Sequence, residues 1–179
     1  PSAEEEDNSA PLPAYRFPEW LECSECNRIG HVNVHFDEVL DAPPDCAAND
    51  CNGYGIPTRL VVACFKGDTA NRNSPGHIDN FPWIWWAHSQ SSEGKCQDPE
   101  IYLRNKGKKA GISGLEVTCE TCEASRGLGE VFDATSLQPI KCAGYRPWLG
   151  SKKDTDVCEL CERPMRALLR GASNIYFPA

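Results

Sequence analysis

The sequence has 179 residues, of which 40% are hydrophobic and 25% are charged, as expected for one globular domain or two small ones. Its formal net charge of -8 argues against a protein that binds nucleic acid through its own basic surface. No apolar run approaches the ~18 residues of a membrane-spanning helix, and no signal peptide is visible, so we expect a cytoplasmic protein without membrane contacts. Because the chain lacks an initiating Met and stops after an apolar run, we expect a segment of a longer protein.

The first half of the chain alternates between polar loops and short apolar runs. Residues 1–14 are acidic, rich in proline and without apolar periodicity, which predicts a flexible acidic linker. Residues 29–36 alternate moderately and predict a strand. Asp, Pro, Asn and Gly dominate residues 41–57, which are therefore predicted to be loop. The run 59–65 is the best candidate for a buried strand.

The second half opens with an aromatic segment. Residues 81–88 read Phe-Pro-Trp-Ile-Trp-Trp-Ala-His, which favours a short core helix with Pro in its first turn, or else an extended piece. Residues 100–104 and 115–119 predict strands, and the second strand runs directly into a cysteine pair. Residues 163–169 are a helical candidate, and residues 174–177 predict a closing strand.

The cysteines determine the class of protein. Close pairs that converge on one point suit a tetrahedral metal ion with soft thiolate ligands, and zinc is the usual choice. Since nothing indicates secretion, a reducing compartment and metal binding are favoured over disulfides. The sequence contains 11 cysteines, and they fall largely in the pairs Cys23/Cys26, Cys46/Cys51, Cys119/Cys122 and Cys158/Cys161.

The first predicted metal site is formed by two of these pairs. Two intervening residues let Cys23 and Cys26 face one ion from a tight turn, and Cys46 with Cys51 closes the tetrahedron from another loop. The 19-residue connection between the pairs is long enough for a small hairpin, which is typical of a zinc ribbon. The alternative is that these thiols are free or disulfide-bonded.

The second predicted site has more candidates than a closed tetrahedral site can use. Cys119 and Cys122 form its first pair, and Cys142 is the expected third ligand. The spacing leaves Cys158 and Cys161 as alternatives for the fourth position. One of these thiols is then left without metal.

A third metal site could combine the remaining candidates Cys64, His77, His88 and Cys96. The alternative is a buried core thiol with hydrogen-bonded or exposed histidines. We therefore expect two zinc ions, with a third as an additional hypothesis. Iron–sulfur clusters also take four cysteines, but paired knuckles joined through loops suit zinc better.

These patterns indicate a scaffold and not an enzyme. His31 and His35 lack the glutamate that a zinc protease carries beside the first histidine. Four cysteines fill the coordination position that a catalytic zinc must keep open, and no phosphate-binding loop or nucleophile elbow is present. We therefore expect no small-molecule substrate. A zinc enzyme or a thiol redox sensor is the minor alternative.

A basic loop carries the predicted nucleic-acid contact. Lys106, Lys108 and Lys109 lie among glycines and could reach a phosphate backbone without reading bases. A solvated loop is the alternative interpretation. An autonomous DNA-binding zinc protein is accordingly the second hypothesis for the function.

We predict a small mixed α/β fold that is β-rich, irregular and rich in loops, with zinc-ribbon-like modules. Residues 15–115 are predicted as a first module that includes the aromatic segment, and residues 116–179 as a second cysteine-rich zinc module.

Several motifs together resemble a known family. Residues 170–177 match the R-G-A-S-N-x-Y-F signature of the DrmB component of DISARM anti-phage defence systems. Further matches stand in the expected order: R-F-P-x-W-L-x-C-x2-C at 16–26, V-V-A-C at 61–64, G-H-I-D-N-F-P-W at 76–83 and C-A-G-x-R-P-W-L at 142–149. The resemblance covers nearly all of residues 15–178.

The resemblance implies a role within a complex. DrmB-like proteins are the non-helicase partners of DrmA, a helicase-like ATPase, and the pair binds DNA and restricts phage. It also implies Cys161 as the fourth ligand of the second site, because the family places a cysteine shortly before the P-x-R-x-L-x-R-G-A-S-N stretch. The chain departs from the family in a longer insert at residues 66–75, which argues against a fixed third metal site.

Overall fold

The computed structural model describes residues 16–64, 77–107, 110–145, 147 and 161–172. Within them, short strands form three antiparallel sheets, accompanied by one short α-helix and a 3-10 turn at Ile112–Gly114. The elements in chain order are β1 (Trp20–Cys23), β2 (Arg28–His31), β3 (Phe36–Asp37), β4 (Asp45–Cys46), β5 (Gly55–Pro57), β6 (Leu60–Cys64), β7 (Ile78–Asn80), α1 (Trp83–His88), β8 (Ile101–Asn105), β9 (Leu115–Cys119), β10 (Ser125–Gly127) and β11 (Met165–Leu169).

The largest sheet has six strands in the order β10-β9-β8-β2-β1-β5. Its strands β1 and β8 alternate between buried and more exposed residues, as is typical of an antiparallel sheet with one face on the core. Ile101 and Leu103 of β8 are buried, whereas Arg104 lies on the other face over the ring of Tyr102, at 4.6 Å from the ring centroid. Arg104 also forms an ion pair with Glu120.

A second sheet of three strands has the order β11-β6-β7. Its central strand β6 pairs on both sides, and Leu60, Val61 and Val62 are all buried. This explains the continuous apolar run, since a strand covered on both faces has no reason to alternate. A third, two-stranded sheet pairs β3 with β4.

The helix α1 packs against β8, β9 and β10 and supplies the aromatic centre of the main core. Trp86 is fully buried, and the guanidinium of Arg126 lies 3.7 Å from its ring centroid. Phe81 stacks in a tilted arrangement on both Trp83 and Trp86. Such large aromatic side chains give one turn and a half of helix enough buried area to hold its place.

A separate and smaller core surrounds the first cysteine pairs. It contains Leu21, Val32 and Phe36 together with Cys23 and Cys46, so two of its five buried members are cysteines. An apolar cluster of this size contributes little stability, which makes additional cross-links important for this part of the chain.

The predicted fold class is confirmed: the described structure is β-rich, irregular and built of short elements with zinc-ribbon-like cysteine groups. The predicted helix at 163–169 is wrong, because this segment forms β11 and pairs with β6 in the register Met165↔Cys64. The gain from completing a sheet over a buried strand exceeds the weak local preference for helix. The predicted strand at 29–36 is shorter, since β2 ends at His31 and Asn33 adopts a positive φ of 64°.

The predicted division between residues 115 and 116 falls within β9 (Leu115–Cys119). β8 pairs with β9, and β6 pairs with β11, so strands from both predicted modules share sheets. Whether the two parts are separate folding units stays a prediction. The predicted linker at 1–14 and the closing strand at 174–177 lie outside the described residues. In the portion of the chain that is described, no helix combines the length and apolar character needed to cross a membrane.

Candidate metal centres

Cysteine and histidine side chains converge in three groups among the described residues. Within each group, the four candidate ligand atoms all lie within 4.8 Å of one another. The ten described cysteines are free thiols, so the groups are not disulfide frameworks. We refer to them as cluster 1 (Cys23, Cys26, Cys46, Cys51), cluster 2 (Cys64, His77, Cys142, Cys161) and cluster 3 (His88, Cys96, Cys119, Cys122).

Cluster 1 joins the β1–β2 hairpin to the β4 region. Cys23 ends β1 and Cys26 lies in the turn that leads to β2, while Cys46 lies in β4. The Sγ atoms of Cys23 and Cys51 are 3.5 Å apart, and those of Cys26 and Cys46 are 3.9 Å apart. The backbone N–H of Glu25 donates to Cys23 Sγ at 3.5 Å, which stabilises a thiolate there.

Cluster 2 joins the end of β6 to the residue before β7 and to the segments around Cys142 and Cys161. Cys64 ends β6, and His77 immediately precedes β7, with its Nδ1 3.6 Å from Cys64 Sγ. Cys142 and Cys161 meet because their segments run antiparallel: the N–H of Cys142 donates to the carbonyl of Arg163 at 2.9 Å. Cys161 Sγ lies 3.9 Å from Cys64 Sγ. The cluster therefore lies at one end of the three-stranded sheet, where β6 ends and where β7 and β11 begin.

Cluster 3 joins the end of α1 to the β9–β10 hairpin. His88 is the last residue of α1, and its Nε2 lies 3.2 Å from Cys122 Sγ and 3.6 Å from Cys96 Sγ. The Sγ atoms of Cys96 and Cys119 are 3.6 Å apart. The other ring nitrogen, Nδ1, is 2.6 Å from the carbonyl oxygen of Ile84. That carbonyl can only accept, so the proton is held on Nδ1 and the lone pair of Nε2 faces the cluster.

These distances fit a tetrahedral zinc ion. Thiolates at about 2.3 Å from zinc have sulfur–sulfur separations of about 3.8 Å, and a mixed sulfur–nitrogen edge is about 3.5 Å. The sulfur pairs given above lie between 3.5 and 3.9 Å. A disulfide would require about 2.05 Å, so the spacing is that of ligands around an ion.

The ionisation of the thiols also points to a cation. The hydrogen bond from Cys142 is the largest cause that lowers the pKa of Cys64, to about 4, and the same contact raises the pKa of Cys142. In cluster 3, burial raises the pKa of Cys119, but N–H donors of Cys122 and Thr121 and the Cys96 thiol bring it to about 7. Burial, followed by the nearby Cys119 and Cys122, raises the pKa of Cys96 to about 12.

Cluster 1 follows the same pattern. Burial raises the pKa of Cys23, yet N–H donors from Glu25 and Cys26 and neighbouring thiols bring it below its ordinary value. Burial and the adjacent Cys23 and Cys51 thiols raise the pKa of Cys26 to about 12. In each cluster the pKa of one thiol is lowered, and the negative charge of its thiolate opposes the ionisation of the neighbouring thiols. A bound dication removes that repulsion, as thiolate coordination requires.

The structure groups the predicted ligands differently from the sequence-based expectation. The four cysteines of the predicted first site come together in cluster 1. Those of the predicted second site do not: Cys119 and Cys122 meet His88 and Cys96, whereas Cys142 and Cys161 meet Cys64 and His77. The hypothetical third site is likewise divided between clusters 2 and 3. The reason is tertiary, because α1 packs against β9 while β6 pairs with β11.

Other predicted residues fall elsewhere. Cys158, Lys108 and Lys109 lie outside the described residues. The ammonium of Lys106 donates to Glu116 at 2.7 Å. His31 and His35 contact backbone atoms, with His31 Nδ1 2.6 Å from the Val32 carbonyl oxygen and His35 Nδ1 accepting from the His31 N–H at 3.1 Å. Neither histidine is part of the three clusters.

Gly53 is a supporting residue that the sequence analysis did not identify. Its N–H donates to Cys51 Sγ at 3.4 Å. A Cβ atom at this position would lie 2.5 Å from Cys23 Sγ and 3.1 Å from the backbone nitrogen of Glu25. A glycine two residues after a ligand cysteine is the local signal that could have indicated it, since close backbone approach to sulfur leaves no room for a side chain.

Comparisons with known proteins agree with the resemblance drawn from the motifs. A family model described as a domain of unknown function, DUF8724, matches residues 1–177. The chain is 33% identical over 172 residues to the DISARM protein DrmB of Bacillus paralicheniformis. The match covers 94% of this chain but 27% of that relative, so the chain spans about a quarter of the relative's length.

Proposed function

This chain belongs to the family described as a domain of unknown function (DUF8724), and we propose that it is a zinc-stapled scaffold segment of a DISARM defence component. Because the family description names no role, the proposal rests on the residues of this chain and on its similarity to DrmB. The observation that carries the proposal is the presence of three four-ligand clusters with the atom spacing of a zinc tetrahedron. One cluster offers four cysteines and the other two offer three cysteines and a histidine. These are the ligand sets of closed, structural zinc sites.

Bound zinc would act here as a cross-link. Each cluster joins segments that are distant in sequence, such as Cys64 and Cys161 in cluster 2 or His88 and Cys122 in cluster 3. The protein ligands fill all four positions, which leaves none for a water or a substrate. We therefore propose that this segment has no catalytic activity of its own.

The role in phage defence is supported by the relative's name and by the shared motifs. The relative is a DISARM protein, and the identity of 33% extends over most of this chain. We propose that the segment works in the reducing cytoplasm, where thiolates remain available for metal. It would dock on a helicase-like ATPase partner of the DrmA kind, and ATP hydrolysis would belong to that partner.

We propose that DNA binding occurs through the assembled complex. The net charge of -8 gives this chain no general attraction for a polyanion. The one described lysine of the predicted basic loop, Lys106, is already paired with Glu116. Lys108 and Lys109 remain proposed contacts to the phosphate backbone. These observations favour the scaffold over an autonomous DNA-binding zinc protein.

The direct test is the metal content of the purified chain, measured by elemental analysis and native mass spectrometry. We expect three zinc ions per chain. The variants Cys23→Ser, Cys142→Ser and Cys119→Ser should each lose one ion, because each removes a ligand from a different cluster. His35→Ala is the matched control and should retain all three, since His35 is in no cluster.

Other outcomes would contradict the proposal in defined ways. A preparation with no bound metal, under reducing conditions and with added zinc, would refute the zinc scaffold. Bound iron with a brown colour would show that the cysteines hold an iron–sulfur cluster instead of zinc. A measured content of two zinc ions per chain would mean that one of the three clusters does not bind zinc. The variant that leaves the zinc content unchanged would identify that cluster.

A further inference from the structure

A groove lies where the two larger sheets meet, and none of its lining residues belongs to the three metal clusters. Its volume is about 320 Å³. Glu19 immediately precedes β1 and Trp20 is its first residue, while Asp79 comes from β7 and Trp85 from α1. The volume is at the lower end of the range for ligand pockets, roughly 300–1,000 Å³, and suits a single side chain better than a large cofactor.

Two carboxylates are held in place at this groove. The backbone N–H of Glu19 donates to Asn80 Oδ1 at 2.9 Å, and Asn80 Nδ2 donates back to Glu19 Oε2 at 2.8 Å. Asp79 Oδ1 accepts the backbone N–H of Asn80 at 2.7 Å. Because Asn80 orders both acidic side chains, a ligand that binds them causes little further loss of side-chain conformational entropy.

The negative charges of Glu19 and Asp79 both act on the side chain of Tyr145. Burial is the main reason why the pKa of the Tyr145 phenol is raised, and the negative charges of Glu19 and Asp79 raise it further. A group that feels both carboxylates lies within their common field. The imidazole of His31 also lines the groove, with its Nε2 at 3.7 Å from Glu19 Oε2.

Indole rings form the apolar part of the lining. Trp20 and Trp85 are only partly buried, so part of each ring remains accessible. Packing keeps both rings in position: Trp20 meets His31 edge to face at 6.0 Å, and Trp85 contacts Trp86 at 6.4 Å between ring centroids. Tryptophan presents the most attractive aromatic face for a cation.

We propose that this groove binds an arginine side chain of a partner protein. Fixed carboxylates beside indole faces complement a planar cation, because a guanidinium can donate to carboxylates in pairs and stack on an aromatic ring. An ammonium group lacks both the fork of donors and the flat face. Phosphate groups are disfavoured, since two carboxylates would repel them. None of the lining residues is a candidate metal ligand, and the inference goes beyond the proposed scaffold role.

The test is a titration of the whole zinc-loaded chain with N-acetyl-arginine amide, followed through the indole N–H signals in nitrogen-15 correlation spectra. The chain has five tryptophans. We expect saturable shifts at Trp20 and Trp85. N-acetyl-citrulline amide has nearly the same shape without the charge, and it should bind about tenfold more weakly or not at all, because hydrogen bonds to ionised groups are the stronger ones.

Charge-removing variants connect the effect to the two acids. Glu19→Gln and Asp79→Asn keep an oxygen acceptor for the Asn80 contacts but should each weaken the binding of the arginine amide by about tenfold. Glu93→Gln is the matched control, because Glu93 is exposed, lies outside the groove and carries the same charge. Melting temperatures of the three variants show that folding is retained.

Three results would overturn the proposal. Equal affinity for the citrulline and arginine amides would show that charge plays no part. Equal affinity for N-acetyl-lysine amide would remove the specificity for guanidinium. Shifts of the same indoles by a short oligothymidine, without an arginine effect, would assign the groove to nucleobases. Metal content is measured on the same samples, so failure of the zinc scaffold is recognised separately.

Discussion

His88 uses both of its ring nitrogens, and this shows how single residues define the metal centres. Its Nδ1 lies 2.6 Å from the Ile84 carbonyl oxygen, one helical turn earlier, while Nε2 lies 3.2 Å from Cys122 Sγ. The helix therefore sets the tautomer that a metal ligand needs. In clusters 1 and 2, backbone N–H groups stabilise the ligand thiolates by donating hydrogen bonds to sulfur. For example, the N–H of Gly144 donates to Cys142 Sγ at 3.3 Å.

At the same scale, Gly53→Ala should selectively damage cluster 1. The added Cβ would lie 2.5 Å from Cys23 Sγ, and the neighbouring contact is backbone, so relief requires movement of the ligand loop. We expect the loss of one zinc ion and a destabilisation of about 1–3 kcal/mol, as for other overpacked sites. Native mass spectrometry and thermal unfolding measure the two effects.

The control for this prediction is Gly129→Ala. The nearest atom to a Cβ there is the Ser113 carbonyl oxygen at 4.0 Å, which is an ordinary contact. This variant should keep its full zinc content. A Gly53→Ala chain with unchanged zinc content and unchanged melting temperature would contradict the assigned role of the glycine.

At the scale of elements, the strands and the clusters depend on each other. β9 ends at Cys119 and β10 begins at Ser125, so the hairpin turn itself carries two ligands of cluster 3. β6 ends at Cys64, and β11 starts four residues after Cys161, so cluster 2 lies at the end of the β6–β11 pair. An ion at either position fixes strand ends that would otherwise fray.

Hydrogen exchange should reveal this dependence strand by strand. Cys142→Ser removes a ligand of cluster 2, and we expect the amides of Met165–Leu169 to exchange faster by about tenfold or more, because the end of the strand pair opens. Cys122→Ser is the matched substitution in cluster 3 and should accelerate the β9–β10 hairpin instead. Equal acceleration of both regions in either variant would mean that the clusters stabilise the chain only globally.

At the scale of the whole molecule, the apolar core is divided into two clusters and the net charge is negative. The divided core bears on stability, and the charge bears on DNA binding. The smaller core around Leu21 and Phe36 contains two of the cluster 1 cysteines, so its packing and its metal site form one unit. The net charge of -8 weakens any contact with a polyanion that is not supplied by a partner.

This charge leads to a prediction about DNA binding. The isolated zinc-loaded chain should bind DNA no better than a typical non-specific protein, with a Kd of about 10⁻⁴ M or weaker at physiological salt. When it is part of the full-length protein together with a helicase-like partner, DNA should be bound more tightly than by the partner alone. Fluorescence anisotropy at several salt concentrations measures both. Tight binding by the isolated chain with a steep salt dependence would instead support an autonomous DNA-binding protein.

The sequence by itself determined the local features of this protein. The sequence predicts Cys23, Cys26, Cys46 and Cys51 as one group, and these side chains lie together in the structure. Each pair is close in the chain, so turn geometry brings its two sulfurs together. The strand at 115–119 coincides with β9 because alternation of apolar residues is a local signal.

Only the tertiary structure decided how the remaining ligands combine. A Cys-x2-Cys turn supplies two ligands and does not specify which distant residues supply the other two. That choice depends on α1 packing against β9, which brings His88 to Cys122, and on β11 pairing with β6, which brings Cys161 to Cys64. Such pairings are fixed by the burial of apolar surface between segments far apart in sequence, and no pattern within either segment encodes them.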